Sequence, residues 1–320
     1  MNKIKYGWLV VVPLFSCSDE SRKCEVPDLD FRQEMRDFVQ EISAYAKNVS
    51  PDFMIVPQNG QEIITLDGDP EGTLATEYLQ AIDAVGREDL FYGYTSDDEP
   101  TPTADRDFLI GLCTVAKNND KLVLVTDYCS THSKMDDSYT QNQTLEFISF
   151  AADHRSLDNI PSYPGTIHNE NNADVTSGDN VQNFLYLIDP SAYPNKGAFL
   201  DAVASTNYDL VLIDLFYNEV ELTASDIASL KTKDNGSDRL VICYMSIGEA
   251  EDYRYYWSSL NKNLVCNENP DWKGNYAVKY WDDDWKSVIL GNEQSYLKKI
   301  LNAGFDGVYL DIIEAYETFE

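Results

Sequence analysis

Histidine is scarce in this chain, and several common catalytic signatures are missing. The 320 residues include only three histidines, none spaced as metal ligands, which disfavours a metal centre. No GxSxG motif is present, which argues against a serine hydrolase of the α/β-hydrolase type. The absence of GxGxxG and GxxxxGK argues against a nucleotide-binding doubly wound sheet, the main competing fold. We therefore expect no metal and no cofactor.

Basic residues and long apolar runs are also few. The chain has 24 Lys and Arg against 55 Asp and Glu, for a formal net charge of −31. Such a field repels nucleic acid and attracts cationic polymers, although an acidic surface also keeps an exported protein soluble. After residue 20, no run is long and apolar enough to span a bilayer. We expect no nucleic-acid partner.

The first residues form a distinct segment. A basic start, Met1–Lys5, precedes an apolar run, Trp8–Phe15, and then Cys17. This order is typical of a bacterial lipoprotein signal that is cleaved before a lipid-carrying Cys, although an ordinary secretory leader is an alternative. We predict a signal peptide over residues 1–16, a polar tether over 17–30 and lipidation of Cys17. The protein would then be anchored to the outer or inner membrane, at the surface or in the periplasm of a Gram-negative bacterium.

Short, continuously apolar runs alternate with segments of helical periodicity. Such runs predict strands that are covered on both faces. The predicted strands are Phe53–Pro57, Leu90–Tyr94, Leu122–Asp127, Phe147–Ala152, Phe184–Ile188, Leu210–Leu215, Leu240–Ser246 and Gly307–Ile312. The predicted helices are Phe31–Asn48, Thr73–Val85, Thr103–Lys117, Lys196–Ser205, Thr223–Lys231 and Asp284–Asn302.

Eight strands alternating with helices predict an α/β protein, a (β/α)₈ TIM barrel. We assign residues 31–320 to one barrel domain, because two four-strand halves would each leave open sheet edges. A polar stretch over residues 155–181 is predicted to be a long loop between the halves.

Polar side chains follow several of these strands. In a barrel the strand ends converge on one face, where Asp, Glu, Asn, Gln and aromatic residues would line a pocket suited to sugars. Two opposed carboxyl groups there could cleave a glycosidic bond. The candidates are Gln58, Asn59, Tyr94, Asp127, Asp214, Glu249, Trp272, Tyr309, Asp311 and Glu314.

Three motifs carry a family resemblance. Val241–Arg254, Trp272–Trp281 and Gly304–Tyr316 resemble glycoside hydrolase family 114, the endo-α-1,4-polygalactosaminidase-like TIM barrels. Residues 31–155 also resemble this family, but they match the part that normally follows the motifs. The resemblance therefore implies a circular permutation in which barrel strands five to eight precede strands one to four. It predicts that the strand at Gly307–Ile312 pairs with the strand at Phe53–Pro57.

The resemblance also implies site roles. Asp311 would be the principal catalytic carboxylate, with Glu249 as our second choice. Asp214, Asn59, Gln58, Tyr94, Asp127, Tyr309, Glu314 and Trp272 would contact substrate. Fungal members carry a catalytic Glu after barrel strand six, where the predicted strand here ends in Tyr94. The partner of Asp311 is thus either Glu249 or the acidic loop Asp97–Glu99.

Two functions fit these observations. The first is an exported glycoside hydrolase that acts on an α-linked, galactosamine-containing polysaccharide. The second is a non-catalytic carbohydrate-binding lipoprotein on the same scaffold. In both, the partner is a polysaccharide or oligosaccharide.

Overall fold

The computed structural model describes residues 24–320, so the predicted signal segment and Cys17 lie outside the described range. Within that range, no helix is both long and apolar enough to cross a bilayer. The helices are α1 (Phe31–Val49), α2 (Thr76–Ala81), α3 (Thr103–Asn118), α4 (His132–Leu145), α5 (Lys196–Ala204), α6 (Ala224–Leu230), α7 (Asp283–Ile289) and α8 (Tyr296–Ala303). The strands are β1 (Met54–Pro57), β2 (Ala84–Glu88), β3 (Leu122–Tyr128), β4 (Ile148–Ala152), β5 (Phe184–Tyr186), β6 (Leu210–Asp214), β7 (Phe216–Tyr217), β8 (Val220–Glu221), β9 (Leu240–Ser246), β10 (Glu249–Glu251), β11 (Val265–Glu268), β12 (Asn275–Val278) and β13 (Gly307–Asp311).

The core is an α/β arrangement with a parallel central sheet, as predicted. That sheet has the order β1-β13-β9-β6-β5, and a second parallel sheet has the order β2-β3-β4. β1 and β13 pair in parallel, with Met54 opposite Gly307, which confirms the predicted pairing of these strands. The two sheets are joined where the Asn59 N–H donates to the Gly86 carbonyl over 2.9 Å. At the opposite edges, the rings of Phe150 on β4 and Phe184 on β5 are 5.7 Å apart.

Seven of the eight predicted strands coincide with strands of the parallel sheets, and one prediction is wrong. The run Leu90–Tyr94 is not a strand; the strand is β2, which ends on Glu88. The chain leaves the sheet at Asp89, which has a left-handed φ of 58°. Leu90 and the residues after it are buried as a loop, so their apolar character reflects packing rather than pairing.

The predicted helices are only partly correct. The Asp284–Asn302 segment forms two helices, α7 and α8, and the Thr73–Val85 segment is helical only over α2. The polar helix α4 was not predicted, because its apolar periodicity is weak. The start of α6 has the expected capping box between Thr223 and Asp226.

A small antiparallel sheet, β10-β12-β11, is an addition to the predicted strand–helix alternation. Its strand β11 carries Cys266, which forms a disulfide with Cys24. The other cysteines in the described range are Cys113, Cys129 and Cys243, which are buried and unpaired. The disulfide therefore ties the start of the described chain to this sheet.

A buried ion pair fixes the long loop over residues 155–181. The Lys233 ammonium lies 2.6 Å from the Asp209 carboxylate, and both side chains are fully buried. Lys233 also donates to the Ala173 carbonyl, and Asp209 accepts from the Asn171 amide and the Gln182 N–H. These contacts hold the loop against the start of β6.

Candidate active site

One cavity of about 1180 Å³ opens among residues that follow the carboxyl ends of the parallel strands. This is where α/β folds bind ligands, because the loops there converge. Of the described residues that line the cavity, eight are acidic and three are basic. The acidic residues are Glu88, Asp189, Asp214, Glu219, Glu251, Asp271, Asp311 and Glu314.

Glu88, the last residue of β2, is held by three side-chain donors. The Asn59 amide donates to its Oε2 over 3.0 Å, the Gln58 amide donates to the same oxygen, and the Tyr128 hydroxyl donates to Oε1. Gln58 is itself oriented by the Tyr186 hydroxyl, which donates to its Oε1 over 2.9 Å. These donors fix the position of the Glu88 carboxyl group.

Asp311, the last residue of β13, has a different environment. Its Oδ2 accepts one side-chain hydrogen bond, from the Tyr244 hydroxyl over 2.5 Å. Burial, and then the negative charge of Glu88, raise the pKa of Asp311 to about 7. Two carboxyl groups thus lie in one cavity, and the charge of Glu88 acts on Asp311.

A glycine on β2 makes room for a tyrosine ring that packs beneath Glu88 and Asp311. A Cβ at Gly86 would lie 2.0 Å from the Tyr309 hydroxyl, so only glycine on β2 leaves room for this ring. Tyr309 is fully buried, and its ring lies 5.3 Å from that of Tyr186. Tyr309, a predicted substrate contact, is therefore packed under the cavity and is not among its lining residues.

Because the pKa of Asp311 is raised, the free energy of unfolding should fall as pH rises. Its folded-state pKa of about 7 lies above the ordinary value of 3.8, so the native state keeps a proton that the unfolded state has released. Between about pH 4 and about pH 7, this group should lower the free energy of unfolding by up to ~1.4 kcal/mol per pH unit. Urea denaturation of the wild type and Asp311→Asn across this window measures the difference. A difference that does not change with pH would contradict the raised pKa.

Glu249, our second catalytic candidate, is buried in β10 and is not among the cavity-lining residues. Its Oε1 accepts from the Asn269 amide over 2.8 Å, and burial raises its pKa. Asn269 does line the cavity, together with Trp272, whose side chain is 53% exposed. Glu249 is therefore placed to support the loop that carries these residues.

Asp214 lines the cavity but is already paired. Arg254 donates to both of its carboxylate oxygens, over 2.9 and 2.6 Å. The same guanidinium donates to Glu251 over 2.6 Å. This buried network forms a wall of the cavity, and it leaves Asp214 little capacity for a second cation.

Other predicted site residues lie elsewhere. Asp127 is fully buried and accepts from the backbone N–H groups of Phe91 and Tyr92, so its role here is structural. Tyr94 is 46% exposed and does not line the cavity. In the acidic loop, Asp97 pairs with Arg155, and Asp98 accepts from the backbone at the start of α4.

Gln58, Asn59, Asp214, Trp272, Asp311 and Glu314 are the predicted site residues that the structure brings together in the cavity. Glu88 was missed, as were the tyrosines that contact the two carboxylates. The available signal was Gly86-Arg-Glu88 directly after the apolar pair Ala84-Val85. Within residues 24–320, no group of three or more His, Cys, Asp or Glu could hold a metal ion.

Acid–base hydrolases use two carboxyl groups in different environments, and this cavity at the ends of parallel strands contains such a pair in Glu88 and Asp311. Residues 165–320 match the model of glycoside-hydrolase family GH114. This match confirms the resemblance of the three sequence motifs, and residues 165–320 are similar to family GH114. The matched region contains Asp311 and Glu249, whereas Glu88 lies outside it.

The chain is also similar to curated proteins of other organisms. An uncharacterized protein of Methanocaldococcus jannaschii is 38% identical over 182 residues, which cover 53% of this chain and 48% of the relative. An uncharacterized protein of Deinococcus radiodurans is 38% identical over 125 residues, or 38% of each chain. The chain thus spans about half the length, or less, of these relatives.

A solved structure with some similarity is that of Aspergillus fumigatus Ega3 in complex with galactosamine. It is 25% identical and covers 35% of this chain and 40% of that chain. With a TM-score of 0.30, the likeness is too slight to carry an argument about fold or ligand.

Proposed function

We propose that the protein is a glycoside hydrolase that cleaves an α-linked, galactosamine-containing polysaccharide with Asp311 and Glu88 as its paired carboxylates. The observation that carries this proposal is the position of both carboxylates in one cavity, where the charge of Glu88 raises the pKa of Asp311. The match of residues 165–320 to a glycoside-hydrolase family supports the reaction class.

The two environments suit the chemistry of glycosidic cleavage. The reaction needs one carboxyl group to donate a proton to the leaving oxygen and another to attack the sugar or activate water. A group with a pKa near neutrality serves well in proton transfer. The Asp311 carboxyl has a pKa of about 7, while Glu88 keeps three donors. Asp311 can therefore hold a proton near neutral pH beside the Glu88 carboxyl group.

The excess of acids in the cavity supports a cationic substrate. Two of the three basic lining residues, Arg155 and Arg254, are each paired with two carboxylates. Their positive charge is thus largely neutralised, and the field in the cavity favours positive ligands. A polymer that carries free amino groups fits this field better than a neutral or acidic polysaccharide does.

We further infer that the fold is a closed, circularly permuted (β/α)₈ barrel. In the spatial order β5-β6-β9-β13-β1-β2-β3-β4, the strands of the family-matched region come first. Gln58 bridges to Gly86 in parallel between β1 and β2, which supports closure at that edge. In this order β2 is barrel strand six, so Glu88 occupies the place of the catalytic Glu of fungal family members.

We also propose that the protein is exported and lipid-anchored through Cys17, at the cell surface or in the periplasm. The Cys24–Cys266 disulfide supports export, because such bonds form and persist in oxidising compartments.

The test of the proposed function is depolymerisation. The wild-type protein should convert partly deacetylated galactosaminoglycan into short oligosaccharides detectable by mass spectrometry, and Asp311→Asn should yield almost none. Identical products from both proteins, on every amino-sugar polymer tried, would contradict the proposal. Polymer binding without cleavage, retained when both carboxylates are lost, would instead support the non-catalytic alternative.

A further inference from the structure

A sharp turn follows Asp311 and returns the chain to the cavity. Ile312 adopts a left-handed conformation with φ of 60°, which is a rare backbone state for a β-branched residue. Gly248 lets this turn approach, because a Cβ there would lie 2.2 Å from the Ile312 carbonyl oxygen. As a result Glu314, three residues after Asp311, also lines the cavity.

One oxygen of the Glu314 carboxyl group lacks a hydrogen-bond donor among the described residues. This oxygen, Oε2, is buried and has no hydrogen-bond partner within residues 24–320. Burial, and then the charge of Asp311, raise the pKa of Glu314 to about 8. A hydrogen bond from its own backbone N–H lowers the pKa, Glu88 raises it and Arg87 lowers it. Arg87 does not donate a hydrogen bond to Glu314, because its side chain donates to the Glu88 carbonyl and to the Gln61 side chain.

A buried polar oxygen without a partner is uncommon and points to a missing donor. Glu314 lines the cavity, and apart from its own backbone N–H and Arg87 the groups that act on it are the acids Asp311 and Glu88, so the cavity is the side from which a further donor can approach. A hydroxyl group would supply a hydrogen bond alone. An ammonium group would donate a hydrogen bond to Glu314 and would also offset the negative charges of Asp311 and Glu88. It therefore fits this site better than a hydroxyl group does.

We propose that Glu314 binds the ammonium group of the amino sugar that sits against Asp311, and that it thereby selects a free amine over an N-acetyl group. This inference rests on the proposed function for its substrate class. It assigns Glu314 to specificity, and it leaves the bond-breaking step to Asp311 and Glu88.

Binding should then be linked to proton release. In the free protein at about pH 7, one unit below the pKa of about 8, roughly nine-tenths of Glu314 is protonated. An incoming ammonium group stabilises the carboxylate, so the carboxyl O–H proton leaves to the buffer. The ammonium group keeps its own protons and donates one to the carboxylate as a hydrogen bond.

The experiment is calorimetric titration with galactosamine and with galactose, in two buffers that differ in ionisation enthalpy. At about pH 7, galactosamine should release close to one proton from the wild type, and galactose almost none. Glu314→Gln should remove most of the release, leaving only what Asp311 contributes, and weaken galactosamine binding roughly tenfold, since a charge-assisted hydrogen bond is lost. Its affinity for galactose should change by less than about twofold.

Two control variants separate Glu314 from the other acids. Asp271→Asn removes an exposed acid from the same cavity and should leave proton release intact. Asp311→Asn should retain part of it, because the loss of the Asp311 charge lowers the pKa of Glu314 but leaves its carboxyl group in place. Proton release in Glu314→Gln equal to that of the wild type, or no preference for galactosamine over galactose in the wild type, would overturn the inference.

These binding measurements do not require cleavage. A wild type that binds galactosamine with proton release but cleaves no polymer would contradict the proposed function alone. A wild type that cleaves polymer, while Glu314→Gln binds galactosamine as tightly as the wild type does, would contradict the role of Glu314 alone.

Discussion

Replacing Glu88 with glutamine is expected to lower the turnover of an amino-sugar polymer by about 10²–10⁴-fold, and Asp311→Asn should do the same. Each substitution keeps the size of the side chain but removes a carboxylate that must attack or transfer a proton. Because the two groups act in one reaction, the double variant should be little worse than the worse single variant. Initial rates of reducing-end formation with purified proteins measure these losses.

The matched control is Glu99→Gln, which removes an exposed acid from the loop after β2. It should retain nearly full activity, because that loop does not line the cavity. Glu249→Gln should retain most of the turnover number as well, since Glu249 supports the Asn269 loop from beneath. Full activity in Glu88→Gln, together with a large loss in Glu249→Gln, would return the catalytic role to Glu249.

Replacing Lys233 with methionine should cost about 3–5 kcal/mol of folding stability, because it leaves the Asp209 carboxylate buried without its cation. Both side chains are fully buried, with 2.6 Å between the ammonium and carboxylate groups. The loop over residues 155–181 should also loosen, since Lys233 donates to Ala173 within it. Urea denaturation measures the stability, and hydrogen exchange of the loop amides measures the loosening.

Lys231→Met is the matched control for this variant. Lys231 forms an ion pair of the same length, 2.6 Å, with Asp306, but the two side chains are 37% and 24% exposed. Solvent-exposed pairs contribute little, so its loss should cost less than about 1 kcal/mol. Equal losses in the two variants would show that burial of the Lys233–Asp209 pair is not what makes it important.

The parallel sheets could be predicted from sequence because their strands are buried on both faces. Such strands are read as continuous apolar runs, and seven of the eight runs are strands. β2 was not predicted, because only two apolar residues, Ala84 and Val85, precede Gly86-Arg-Glu88. The stronger apolar run that starts at Leu90 packs as a loop, and its backbone N–H groups are bound by the Asp127 carboxylate.

This displacement of one strand explains why Glu88 was not among the predicted site residues. A strand ending at Tyr94 places no carboxylate at its end, whereas a strand ending at Glu88 places one beside Gln58 and Asn59. The roles of Asp127 and Asp214 could not be predicted either, because their partners are distant in sequence. Arg254, for example, is 40 positions from Asp214.

The surroundings of Glu249 could not be predicted for a related reason. Strand periodicity predicts that a strand ends near Ser246, but it does not show that the chain continues into the hairpin of β10 and β12. In that hairpin Glu249 lies opposite Ala277, which turns its carboxylate toward Asn269 instead of the cavity.

A crystal structure of the Glu88→Gln variant with a galactosamine oligosaccharide would test the central claim most directly. The account predicts an oligosaccharide in the cavity, with one glycosidic linkage between Asp311 and the side chain at position 88. Atoms of that linkage should lie within hydrogen-bonding reach of both side chains, about 2.6–3.2 Å. An oligosaccharide bound along Trp272 or elsewhere, with no linkage between these two positions, would contradict it.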